Sequence, residues 1–220
     1  MKMFLDSAKT DEIRHAIDLW DIDGVTTNPR HVKDSGKPLR TVIAEIAELF
    51  AGTDKAVSVE VDPHFTDWEQ IVEQGVELSK ISPNFVIKVG VGEQGCKAIR
   101  ELTKQGVRVN ATLVFSVAQA WQAARAGAAF VSPFIGWKEQ HGDPAGSLIP
   151  EVAVMLENYD YSAEIIAAAV RNSRQIAEAA LAGAHCVTAS MAVYEDSFRN
   201  PYTDMGEELF RNAWNATPKC

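Results

Sequence analysis

Cysteine is scarce in this chain. Its 220 residues hold three, Cys96, Cys186 and Cys220, odd in number, widely spaced and without metal-type pairing to the five histidines. Such a set makes neither a disulfide framework nor a metal cluster, and the expectation is a reduced, cytoplasmic compartment. Basic residues are also the minority, 21 Lys and Arg against 30 Asp and Glu, for a net charge of −9. That balance excludes a broad cationic footprint for nucleic acid or for an anionic membrane, while leaving room for a basic pocket. No apolar run approaches the roughly 18 residues that a membrane span requires. The opening MKMFLDSAKT lacks the apolar stretch of a secretory signal, so a soluble, unprocessed protein is expected. Linkers rich in Pro, Gly or Ser and low-complexity stretches are missing too, which predicts a single domain over residues 1–220.

What the chain does contain is a regular alternation of short apolar runs with helical patterns. Strands are predicted near residues 3–5, 24–27, 57–60, 85–89, 107–113, 130–132, 164–168 and 185–188. Helices are predicted at 11–20, 39–50, 67–80, 93–105, 116–126, 148–158, 173–182 and 191–198. Gly106, Gly127 and Gly183 each stand just before a strand, where a left-handed helix cap is expected. Eight such units predict an α/β fold, a (β/α)8 TIM barrel near the lower limit of its size range, with an open doubly wound sheet as the alternative. Residues 200–218 add Tyr202, Phe210 and Trp214 on a further helix that a closed barrel does not need. This extension is expected to cover a barrel end or to dock on a neighbouring subunit of a homo-oligomer.

Polar residues at the carboxyl ends of barrel strands face the active site. Here they are Asp6, Thr27 and Asn28, Glu60, Lys88, Asn110 and Thr112, and Ser132. Asp, Thr, Asn and Ser at strand ends also serve as turn and capping residues, so none of these identifies a site alone. Lys88 is different. The run FVIKV sets an ammonium among β-branched and aromatic neighbours, and burial disfavours its charged form. A neutral amine in that setting is a nucleophile toward a carbonyl, and the chemistry is Schiff-base formation. The competing reading is an edge lysine that snorkels to water.

Residues 90–95, GVGEQG, spell the glycine pattern of a dinucleotide-binding turn. A Rossmann unit also needs an acidic residue at the end of the next strand, where VRVNATLVF offers only Asn110 and Thr112. The glycines alone therefore do not predict a dinucleotide.

FLDSA at 4–8, GVTTNP at 24–29, VSVEVD at 57–62, FVIKV at 85–89, NATLVFSVAQA at 110–120 and FVSPFIGW at 130–137 occur in an order that spans nearly the whole chain. Together they resemble the transaldolases and the related fructose-6-phosphate aldolases. The resemblance implies a class I aldolase on a (β/α)8 barrel, with small-molecule ketose and aldehyde substrates and no metal or organic cofactor. Lys88 matches the family's Schiff-base lysine. Asp6 matches the acid/base that exchanges a proton with the sugar's C4 hydroxyl, and Glu60 and Thr112 match the pair that holds the catalytic water. Asn28, Asn110 and Ser132 match residues that bind the dihydroxyacetone part of the donor, beside Thr27. Glu60 in place of glutamine, and Phe134 in place of tyrosine, are similar to the transferase branch.

The chain departs from that pattern where the sugar's anionic end would lie. Trp137 stands at the usual phosphate-binding arginine, and of the second phosphate segment only Arg171 remains, within AVR. Arg30 and His31 follow TTNP where serine and an apolar residue are usual, and Arg30 reads equally well as a solvated loop residue. An indole can give one hydrogen bond but no bidentate contact, so the terminus suits a less charged anion than a phosphate dianion. TTNPRH with GWKE resembles sulfofructose transaldolases, which makes 6-deoxy-6-sulfofructose the favoured donor and glyceraldehyde 3-phosphate an expected acceptor. An ordinary transaldolase or aldolase on fructose 6-phosphate, and a barrel without catalysis, are the alternatives. Gly90, where proline is usual, is expected to free the loop after Lys88.

Overall fold

Along each predicted strand, apolar residues occupy two alternating faces, and the structure shows where each face goes. The computed structural model describes residues 1–218, so Cys220 lies outside the described residues. Eight parallel strands close into one barrel in sequence order: β1 (Lys2–Asp6), β2 (Gly24–Thr26), β3 (Ala56–Glu60), β4 (Phe85–Gly90), β5 (Val109–Val114), β6 (Phe130–Pro133), β7 (Glu164–Val170) and β8 (Cys186–Ala189). Pairing of β1 with β8, Phe4 opposite Thr188, completes the closure and rules out the open doubly wound sheet.

Helices α1 (Thr10–Trp20), α3 (Leu39–Leu49), α4 (Trp68–Ser79), α5 (Glu93–Lys104), α6 (Val117–Arg125), α8 (Leu148–Asn158), α9 (Ser173–Leu181) and α10 (Met191–Ser197) are the eight predicted ones. Gly106, Gly127 and Gly183 take φ of 77°, 96° and 86°, the left-handed caps read from the sequence. Two short helices were not predicted: α2 (Pro29–Asp34) and α7 (Ile135–Gln140). Each is too short to show an amphipathic period, and each follows directly on a strand end. The fifth strand starts at Val109 instead of Val107 because Val107 still belongs to the turn that closes on Leu102. A last helix, α11 (Pro201–Ala216), has no buried residue.

Two apolar clusters stand on opposite sides of the sheet. Leu5, Val25, Val57, Val59, Ile87, Val89, Val131, Ile165 and Val187 point outward and pack under the helices. One residue out of phase, Phe4, Ala56, Val86, Phe130, Ile166 and Cys186 fill the amino-terminal part of the barrel interior, with Phe4 and Phe130 edge to face at 6.2 Å. Gly24 belongs to this layer because a Cβ there would lie 2.9 Å from the Phe4 ring and 2.4 Å from the Ala56 carbonyl oxygen. The inner residues two positions further along the strands are Asp6, Thr26, Ser58, Lys88, Asn110, Ser132, Ala168 and Thr188. The period of two that places an apolar plug at the bottom thus places a polar layer directly above it.

Near the mouth the sheet is deliberately irregular. Register shifts between Ala111 and Val114 in β5, and between Ala167 and Val170 in β7, coincide with φ of 60° at Leu113 and 57° at Ala169. Left-handed geometry at a residue with a Cβ costs about 1–2 kcal/mol, and bulges of this kind re-aim side chains beside functional sites.

Candidate active site

Lys88 lies in the fourth strand, directly opposite Glu60 on β3 and Asn110 on β5. Its side chain points into the barrel and is only 4% exposed, which excludes the snorkelling reading. The amine donates to the Thr27 carbonyl oxygen at 3.0 Å and lies 3.4 Å from Glu60 Oε2. A lysine buried to this degree requires such partners, because an unpaired charge here would be costly.

The two carboxyl groups of the interior sit in opposed environments. Burial pushes the Glu60 carboxyl above its usual range, and the pull of Lys88 only partly offsets it, with the nearby negative Asp6 adding to the rise. Burial would push Asp6 up as well. There, however, the hydrogen bond and charge of His31, the charge of Lys88 and the Thr26 hydroxyl outweigh it and hold the carboxyl below its ordinary value. The two carboxyls are thus displaced in opposite directions, an arrangement that suits one to accept a proton and the other to give one.

Hydrogen bonds account for nearly all of the remaining polar layer. Thr26 Oγ1 donates to Asp6 Oδ1 at 2.7 Å, and since that uses its one proton, Thr188 donates to Thr26 across 2.6 Å. Ser132 Oγ donates to Asn110 Oδ1 at 2.7 Å, and Asn110 Nδ2 donates to Ser58 Oγ at 3.1 Å. Among the described residues, Thr112 Oγ1 is the buried side-chain polar atom without a hydrogen-bond partner in the protein. An orphaned hydroxyl of this kind is available to a water molecule or a substrate. Glu60 also borders two recesses, of about 370 Å³ beside Gly90 and Leu113 and of about 210 Å³ beside Thr27 and Asn28.

Thr27 and Asn28 play parts that differ from a plain strand-end role. The Thr27 hydroxyl donates to the Ser58 carbonyl oxygen at 2.8 Å, so its backbone oxygen and not its side chain meets Lys88. Asn28 caps α2, its Oδ1 accepting from the His31 N–H at 3.0 Å, with Pro29 in the first turn.

At the rim, Phe115, Phe134 and Trp137 form an aromatic group, Phe134 and Trp137 being edge to face at 5.4 Å. Trp137 stands in α7 and is 41% exposed. Gly136 brings α7 close to β7: a Cβ there would lie 2.0 Å from the Ala169 carbonyl oxygen and 3.0 Å from Arg171 Cγ. The residue preceding Trp137 in α7 thus lies against the Arg171 side chain. The exposed Arg30 lies 3.9 Å from Asp34 on α2, and among the described residues it makes no ion pair toward the interior. A larger cleft, about 820 Å³, lies between α5 and α6 on the outer wall and contains none of these residues.

The transaldolase/fructose-6-phosphate aldolase family matches residues 3–218. The chain belongs to this family. It is 51% identical over 218 residues to the 6-deoxy-6-sulfo-D-fructose transaldolases of Priestia aryabhattai and Priestia megaterium, covering 99% of this chain and 96% of each relative. It is 39% identical over 219 residues to a probable transaldolase of Dictyoglomus turgidum, covering the whole of both chains. The protein is accordingly an enzyme of the class I aldolase and transaldolase type, acting on small-molecule sugars. None of its described helices is long and apolar enough to cross a membrane.

Within this transaldolase-family barrel, sequence reasoning overlooked Thr26, Ser58, Thr188 and the side chain of His31. The first three could have been found, since each lies two residues beyond an inward apolar residue. His31 could not, because its direction depends on α2. The glycine pattern at 90–95 has a packing cause. A Cβ on Gly95 would lie 2.0 Å from the Gly90 carbonyl oxygen, so this glycine lets α5 close on β4, whereas a Cβ on Gly90 would meet nothing within 4 Å.

Proposed function

We propose that this chain is a Schiff-base transaldolase that moves a dihydroxyacetone unit from 6-deoxy-6-sulfofructose to an aldose phosphate such as glyceraldehyde 3-phosphate. The observation that carries the reading is the buried meeting of Lys88 with Glu60, beside an Asp6 carboxyl displaced in the opposite direction. The names of the relatives that share half of its residues supply the choice of donor.

Lys88 Nζ adds to the ketose C2, and the carbinolamine loses water to give the imine. Glu60, whose carboxyl burial displaces upward, delivers the proton to the departing hydroxyl, and Thr112 Oγ1 is free to hold that water. Asp6 then takes the proton of the C4 hydroxyl. The C3–C4 bond breaks, its electron pair runs to the imine nitrogen, and sulfolactaldehyde leaves an enamine on Lys88. In the second half the enamine carbon attacks the acceptor aldehyde, whose oxygen receives the proton from Asp6. Water hydrolyses the new imine and frees the amine. Asn28, Asn110 and Ser132 bind the dihydroxyacetone part, with Thr27 and Phe134 bounding it. Trp137 and Arg171 receive the anionic end.

The scarcity of cysteine supports a cytoplasmic setting. On α11, Tyr202, Met205, Leu209, Phe210 and Trp214 are each more than half exposed, which supports a homo-oligomer in which this helix docks on a neighbour. Kinetics with matched sulfo- and phospho-ketoses, with and without acceptor aldehyde, test the proposal. The expected result is turnover that depends on the acceptor and prefers the sulfo-ketose; a strong preference for the phospho-ketose removes the sulfosugar donor.

A further inference from the structure

The sequence NPRH sets the start of α2. Asn28 is its cap, Pro29 enters the first turn, and the cap bond ends on the N–H of His31. With its backbone so satisfied, α2 makes no use of the His31 side chain, and a residue at this third helical position points back past the cap. The imidazole follows that path into the mouth, where Nε2 stands 3.1 Å from Asp6 Oδ2 while Thr26 holds Oδ1. Both side chains are largely shielded, 23% and 19% exposed, so the contact is less screened than a surface pair.

We propose that His31 is a positioning residue for proton transfer: from α2 it clamps one oxygen of the Asp6 carboxylate, as Thr26 clamps the other, and so fixes the plane of the base that breaks the C3–C4 bond. The inference rests on the transaldolase reading above and adds a residue to it. The other titratable or charged groups around Asp6 are Lys88 from β4, Glu60 from β3 and Tyr194 from α10; on α2, Arg30 and Asp34 lie together. Of the groups that favour the carboxylate, His31 is the strongest, ahead of Lys88 and Thr26. Schiff-base formation does not use Asp6, whereas retro-aldol cleavage does. Loss of the clamp must therefore separate the two steps.

The test compares the unsubstituted chain with His31→Leu, of apolar character and similar bulk, and with His31→Gln, whose amide nitrogen can reach the same carboxylate oxygen. Borohydride trapping of the sulfo-ketose on Lys88 is measured beside steady-state turnover across pH. The expected result for His31→Leu is undiminished trapping, a kcat lowered about 10- to 100-fold as loss of a charge-assisted hydrogen bond implies, and a KM within about threefold. Its acid limb moves to higher pH, because burial then acts on Asp6 with less opposition. His31→Gln regains most of kcat. Leucine and unsubstituted chains with equal kcat and equal pH profiles overturn the proposal, as does glutamine no better than leucine, or trapping and turnover lost in parallel in both variants. Absence of trapping in the unsubstituted chain overturns the transaldolase reading itself.

Discussion

Lys88 sits where an amine is least comfortable, and each of its partners is a feature of the reaction. Replacing it with methionine removes the nucleophile and leaves a side chain of similar volume beside a Glu60 carboxyl that burial already displaces upward. The expected outcome is a fall in turnover of roughly three orders of magnitude or more, with no borohydride adduct and little change in thermal midpoint, read by calorimetry beside mass spectrometry. Asp6 and Glu60 separate by pH. Asp6 must be a carboxylate to accept the C4 proton, and its lowered value keeps it so into acid. The acid limb of kcat/KM therefore belongs to Asp6, whereas Glu60, displaced upward and acting as the proton donor, sets the alkaline limb. Glu60→Gln is expected to lose that limb and to slow turnover about 10- to 100-fold in the same pH profile. At the other end of the sugar, Trp137→Arg restores a bidentate donor and is expected to raise the phospho- over sulfo-ketose ratio of kcat/KM about tenfold.

The elements that aim these residues are the two least regular parts of the barrel wall. α7 is held against β7 by Gly136 over the Ala169 carbonyl oxygen, and Ala169 itself stands at the β7 bulge. An added methyl group at Gly136 cannot be absorbed by a flexible side chain because it meets backbone. Gly136→Ala is expected to lose about 1–3 kcal/mol of stability in denaturant unfolding and to raise KM for the anionic ketose by displacing α7 from β7 and Arg171. At this scale the eight long helices and the strand faces were legible from periodicity and from the glycines at 106, 127 and 183. The helices α2 and α7 were not, because six residues carry less than two turns of pattern.

For the whole molecule, the barrel divides its labour by height. The apolar plug of Phe4, Val86, Phe130 and Ile166 closes the amino-terminal end, where Cys186 donates to Glu164 Oε2 at 3.4 Å and burial pushes its thiol up to about 12. Such a thiol is inert at neutral pH, which suits a structural place away from the chemistry. The polar layer above can be polar because its hydroxyls and amides satisfy one another. α11 stands outside this scheme, since no residue of it is buried. Deleting the segment after Asn200 is expected to lower the solution mass, measured by light scattering, while leaving the thermal unfolding of the barrel nearly unchanged.

The order of residues alone determined the strand and helix sequence, the inward lysine and the carboxyl, amide and hydroxyl groups at strand ends, because side-chain period and chemistry are local properties. Closure of the sheet decided the rest. Only the ring of eight strands brings Asp6 from the first strand toward Lys88 of the fourth, and only the fold of α2 turns His31 onto Asp6. Whether a carboxyl is driven up or held down depends on how much water and which charges surround it, and those neighbours come from far along the chain.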